Sequence, residues 1–129
     1  MTKDKMTSSA LRVYKRVDLA SAPKSDILDR LFGRLESDLR DGQSAIAAND
    51  IAARARALDH ASRILTEFIA ALDFGAAPEL CTNLDLLYRY CLNSITRASV
   101  ERSAAPLGQV LQIVGTLRAS FAEAAAAGR

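Results

Sequence analysis

Between two long amphipathic stretches stands the pair Asn49-Asp50, and it limits the possible folds more than any other feature of the chain. Asparagine tolerates the left-handed backbone that ends a helix, and aspartate accepts a hydrogen bond from a free N–H at the start of the next. So short a link forces the two helices back on each other, antiparallel. The first helix is expected from about Ala22 to Ala48, with Ser21 as N-cap, Pro23 in the first turn and Asp26 at the positive helix start. Its apolar residues Ile27, Leu28, Leu31, Phe32, Leu35, Leu39 and Ile46 fall within an arc of roughly 140°. Gly33 and Gly42 interrupt it and mark sites of close approach or bending. The second helix is expected from about Ile51 to Leu72. Its apolar set, which includes Leu58, Ile64, Leu65, Phe68 and Ile69, spreads over roughly 180°, wider than one core contact needs.

Gly75 reads as the stop of that helix. Pro78 and Glu79 fit the first turn of a third, which runs to about Ala98 with Leu80, Leu84, Leu87, Tyr88, Cys91, Leu92 and Ile95 on one face. Leu86 and Tyr90 form an i,i+4 pair away from that face. Ser103 and Pro106 announce a fourth helix over about Ala105 to Ala125, whose Ala-rich tail is expected to fray. Nowhere do apolar and polar residues alternate with β-branched enrichment. The fold class is therefore all-α: an antiparallel up-down-up-down four-helix bundle over residues 21–129, preceded by a flexible arm over residues 1–20. Within that arm Leu11, Tyr14 and Val17 recur at helical spacing, a segment too brief to be stable unless it lies on something.

Composition narrows the function. The net charge is +2, from 17 basic and 15 acidic residues, too balanced for a dedicated nucleic-acid binder. The excess is local: residues 1–24 carry six basic against two acidic residues, which reads as a solvated terminus. Arg54, Arg56 and Arg63 do not share one face, which speaks against a helix-turn-helix reader of DNA. No window has the ~18 consecutive apolar residues of a membrane span, and no apolar run follows the first lysines, so neither insertion nor a secretory signal is expected. Cys81 and Cys91 sit about 15 Å apart along one helix, too far for a disulfide, and read as buried fillers or free thiols in a reducing cytoplasm.

His60 is the only histidine and has no converging ligands, so no metal site is expected. Neither cysteine has a histidine at useful spacing, and no Gly-rich phosphate loop exists. Asp26, Asp29, Glu36 and Asp38 read as solvated helix support along the outer face of the first helix, with Arg34–Asp38 and Glu36–Arg40 among the i,i+4 pairs. No catalytic or cofactor-binding residue is therefore expected. What remains is surplus apolar surface: Ile64 and Phe68 on the flank of the second helix, Leu86 and Tyr90 on the flank of the third. It fits either a groove for an amphipathic helix or a surface that the N-terminal segment covers for good.

A family resemblance joins these pieces. Tyr14, Leu31-Phe32, Ala45-Ile46, Asn49-Asp50, Ile64-Leu65, Leu72-Asp73, Asn83-Leu84 and Leu87-Tyr88-Arg89-Tyr90 occur in the order seen in the flagellar secretion chaperones of the FliS type, which the chain resembles from Tyr14 to about Phe121. It departs from them at Phe32, where the family usually has Tyr, at Gly33-Arg34, and at Pro23, which comes one position early.

The resemblance implies a cytoplasmic chaperone without catalysis. Its client would be the C-terminal segment of flagellin, held back from polymerising and handed to flagellar export components. It also implies a groove or lid built from Leu11, Tyr14, Val17, Ile64, Phe68, Leu86 and Tyr90, with Leu84 and Tyr88 holding the scaffold. The competing expectation is a helical bundle that self-associates through the same surface and binds no flagellin.

Overall fold

A computed structural model describes residues 22–128 as four helices: α1 (Ala22–Ala47), α2 (Ile51–Ala71), α3 (Pro78–Glu101) and α4 (Ala105–Gly128). Helices α1 and α3 each pack against α2 and α4, so the four close into an antiparallel ring around one core. The short segment with Leu11, Tyr14 and Val17 lies outside the described residues, as does Ser21.

The α1–α2 link is built as its residues dictate. Asn49 has a φ of 56°, in the left-handed region, and Asp50 N–H bonds back to the Ala45 carbonyl at 2.9 Å, which closes the end of α1. The Asp50 carboxylate accepts from Ala53 N–H at 3.0 Å and caps α2. α3 also ends on a left-handed residue, Arg102 with φ 53°, and Ser103 N–H returns to the Ala98 carbonyl. α2 ends at Ala71 with Leu72 as its C-cap, within one residue of the expected end. The turn that follows is organised by Asp73, whose carbonyl accepts from Ala76 and Ala77 while its carboxylate also accepts from Ala76. Two ends differ from expectation. α3 continues one turn past Ala98 to Glu101, and α4 stays helical through its Ala-rich tail to Gly128.

The core holds one aromatic from each helix in a single layer. Phe32 of α1 stands 4.8 Å from Phe68 of α2 and 5.8 Å from Phe121 of α4, and Phe68 is 5.7 Å from Tyr88 of α3. With so few aromatics in the chain, the rest of the interior is Leu, Ile, Val, Ala and the two cysteines. Small residues let the helices close in. A Cβ on Gly42 would fall 2.6 Å from Leu58 Cδ2, so any larger residue there must push the Leu58 side chain aside.

This packing corrects two groups of expectations. Ile64 and Phe68, placed on an open flank by their wide arc, are only 5% and 4% exposed. α2 sits between α1 and α3 and needs apolar surface toward both, which is what the wide arc supplies. Conversely, Ile27 and Ile51 lie near helix starts and face solvent although their periodicity assigns them to the core.

Candidate functional site

The site begins with the phase of α3. Its inner face buries Cys81, Leu84, Tyr88, Cys91, Ile95 and Ala98. Half a turn away, Glu79, Asn83, Leu86, Tyr90, Asn93, Arg97 and Val100 are all exposed. Their spacing alternates four and three residues, the interval at which one helix repeatedly meets another. Leu86 is 64%, Tyr90 45% and Val100 76% exposed, unusual for large apolar side chains spread along one helix. At the start of this stripe, Pro78, Glu79, Thr82 and Asn83 line an open hollow of about 400 Å³.

α4 forms the neighbouring bank. The Tyr90 hydroxyl donates to Gln109 Oε1 at 3.0 Å, so the bond spans the α3–α4 seam. Ile113 and Leu117 follow Gln109 at i+4 and i+8, on the same side of α4, and both are half-buried against the core. The exposed residues of α4 up to Ala122 are Ala105, Gly108, Gln109, Gln112, Thr116, Ala119, Ser120 and Ala122, without a single charge. A helix face turned to water normally carries charged residues, and this one does not.

The expected site residues therefore separate into three groups. Leu86 and Tyr90 lie outside, as their phase requires. Ile64 and Phe68 lie inside, beneath the surface they were expected to form. Leu11, Tyr14 and Val17 fall outside the described residues. Sequence reasoning missed Asn93, Arg97, Val100 and Gln109. The first three could have been found by continuing the four-three count from Leu86; ending α3 at Ala98 hid Val100. Nothing in the sequence signals the Tyr90–Gln109 bond.

The ion pairs that join one helix to another sit on the other side of the ring. Arg118 of α4 grips two carboxylates of α1: Nε and Nη2 donate to Asp29 at 2.8 and 3.0 Å, and Nη1 donates to Glu36 at 2.7 Å. The guanidinium passes over Gly33, where a Cβ would come within 3.1 Å of it. Its hydrogen bonds hold the Asp29 carboxyl below its ordinary pKa, and those to Asp29 and Glu36 raise that of Arg118.

Asp38 is buried, shares a short contact with His60 Nδ1 on α2, and lies 3.7 Å from Arg34. Asp29, Glu36 and Asp38 thus tie helices together instead of forming a solvated stripe. Asp38 and His60 also help line an open cleft of about 600 Å³ between α1 and α2, whose rim is charged and whose floor is alanine.

Among the described residues no group of three or more His, Cys, Asp or Glu side chains is placed to hold a metal. Both thiols are buried, and burial pushes Cys91 up to about 11 and raises Cys81, which keeps each protonated and unreactive at neutral pH. Among the described residues no helix is long and apolar enough to cross a membrane.

The family described as Flagellar protein FliS matches residues 6–128. A flagellar secretion chaperone FliS of Salmonella typhimurium is 28% identical over 123 residues, which cover 92% of this chain and 88% of the relative. A flagellar secretion chaperone FliS of Vibrio cholerae is 24% identical over 116 residues, covering 87% and 85%.

Proposed function

The chain belongs to the FliS family, a family of flagellar secretion chaperones and not of enzymes, and from that premise we propose that it binds the C-terminal helical segment of flagellin in the cytoplasm. Bound there, the segment cannot polymerise before it is handed to the flagellar export apparatus. The observation that carries this reading is the exposed Leu86, Tyr90 and Val100 stripe at helix-packing intervals along α3, beside the charge-free face of α4. A segment that is unfolded as a monomer and helical when assembled exposes an apolar face once it coils. Covering that face removes the surface through which it would meet another copy.

Ordering such a segment costs on the order of 2–5 kcal/mol, so binding requires a long seat. The α3 stripe provides one: from Glu79 to Val100 it runs about 30 Å at 1.5 Å per residue. Leu86 and Tyr90 are the contact residues of this reading, with Ile64 and Phe68 supporting the scaffold from within. The N-terminal segment with Leu11, Tyr14 and Val17 serves in the same proposal as a lid that competes with the client.

The test is co-purification and calorimetry with the C-terminal region of flagellin from the same bacterium, against a flagellin lacking that region. Binding to the first and not the second is the expected result. A dimer in sedimentation whose interface contains Leu86 and Tyr90, with no affinity for flagellin, would replace this reading with self-association. Deleting residues 1–17 is expected to increase binding of a hydrophobic dye; unchanged dye binding would remove the lid.

A further inference from the structure

Tyr90 and Leu86 are neighbours on the exposed stripe, one turn apart, yet only Tyr90 is tied down. Its hydroxyl donates across the seam to Gln109 Oε1 at 3.0 Å, and both partners are exposed. A hydroxyl in that position has water freely available, so the bond adds little to folding. What it does restrict is the ring. A tyrosine anchored at its distal end cannot swing between staggered rotamers as a free surface side chain does.

We propose that Gln109 is a positioning residue for the client surface, holding the Tyr90 ring across the α3–α4 seam in the orientation that a docking helix meets. This rests on the reading of the α3 stripe as the client seat. Three features of the surroundings fit it. The exposed face of α4 around Gln109 is uncharged up to Ala122, so no ionic side chain from that bank competes for the hydroxyl.

The ring is also less exposed than Leu86, 45% against 64%, as expected of a side chain leaning over a seam instead of standing into water. Finally, Gln109 uses its oxygen to accept from Tyr90 and keeps its amide nitrogen, with two N–H donors, for another acceptor. Together the pair presents an aromatic surface with amide donors beside it. The chemistry that matches is a helix carrying an apolar side chain next to a hydroxyl, carboxamide or carboxylate one turn away.

Pre-ordering one rotamer-rich contact residue is worth roughly two- to tenfold in affinity. The test uses the full chain and a fluorescently labelled C-terminal segment of flagellin from the same bacterium, with affinity read by anisotropy and stability by thermal melting. Gln109→Leu and Tyr90→Phe are each expected to weaken binding two- to tenfold. The double variant should be no weaker than the weaker of the two single ones. Melting temperatures should stay at the wild-type value. Additive losses or a silent Gln109→Leu would overturn the positioning role. If Tyr90→Ala abolishes binding while Gln109→Leu is silent, only this inference fails. If the wild-type chain ignores the segment, the client reading fails and takes this one with it.

Discussion

Two tyrosines on α3, separated by a single residue, meet opposite surroundings. Tyr88 is fully buried in the aromatic layer, 5.7 Å from Phe68. Tyr90 lies half outside with its hydroxyl on Gln109. Two steps along a helix rotate a side chain by about 200°, so the same residue type serves the fold at one position and the surface at the next. The fold and the candidate site therefore occupy one helix but different faces of it. Damage to either face should be separable by measurement.

The largest effect belongs to the inner face. Tyr88→Ala removes the α3 member of the four-helix aromatic layer and leaves a cavity that Phe68 and the surrounding Leu side chains cannot fill. The expected loss is about 3–5 kcal/mol of stability by denaturant unfolding. Phe68→Ala should match it, since its ring touches both Phe32 and Tyr88. A loss under about 1 kcal/mol for either would mean that the layer is not the centre of the core, and the inside-outside division of α3 would fail with it.

Next comes steric closeness. Gly42→Val places side-chain atoms where a Cβ alone would already stand 2.6 Å from Leu58 Cδ2 and 3.4 Å from Leu107 Cδ1. The thermal midpoint should fall by an amount corresponding to about 1–3 kcal/mol. Gly115 offers the contrast. A Cβ there meets only a Glu36 carboxylate oxygen at 3.7 Å, so Gly115→Ala should be neutral or stabilising through helix propensity, by less than about 1 kcal/mol. If the two variants behave alike, close approach is not what Gly42 provides.

The legibility of this chain follows the same division. Helix number, antiparallel order and the Asn49-Asp50 link could be read because each rests on local chemistry: a left-handed residue, a capping carboxylate, an apolar period. The end of α3 could not. Ser99, Val100 and Glu101 lack the inward apolar period, and the turn is closed by Arg102 in a conformation that arginine does not advertise. Ile64 and Phe68 were misplaced because an arc width does not reveal how many neighbours a helix has. The place of Asp38 is not legible because a carboxylate on a helix ordinarily faces solvent, whereas His60 comes to this one from another helix. Leu86 and Tyr90 were legible because their phase puts them opposite a well-defined inner face. Gln109 was not, because the partner of a surface hydroxyl depends on how two helices are set against each other.

Between interior and surface lies the Arg118 clamp. Its hydrogen bonds hold Asp29 below the ordinary value of 3.8, so the stabilisation is complete above that value and is lost as pH falls through the lowered one. Asp29 and Arg118 are 45% and 37% exposed, and water limits the contribution to about 1 kcal/mol or less. Wild type and Arg118→Leu should therefore differ by that small amount in urea unfolding at pH 7 and converge as the pH is taken below 3.8. A difference that persists in acid would assign the loss to the packing of the Arg118 side chain, whose guanidinium lies over Gly33, instead of its charge.

The smallest expected change in stability is at the outer tyrosine. Tyr90→Ala removes a half-exposed ring and one solvent-accessible hydrogen bond, and should alter the unfolding free energy by about 0.5 kcal/mol or less. Circular dichroism should report unchanged helicity. If the α3 stripe seats the client, the same substitution removes its central aromatic contact, and alanine replacement of such an anchor costs about 2 kcal/mol or more of binding, at least a tenfold weakening toward the flagellin C-terminal segment. Tyr88→Ala would also weaken binding, but only in proportion to the fraction unfolded. The ratio of binding loss to stability loss therefore separates the two positions where either number alone does not. A Tyr90→Ala chain that unfolds would put this ring in the core, and one that is stable and still binds normally would take the client off this face of α3.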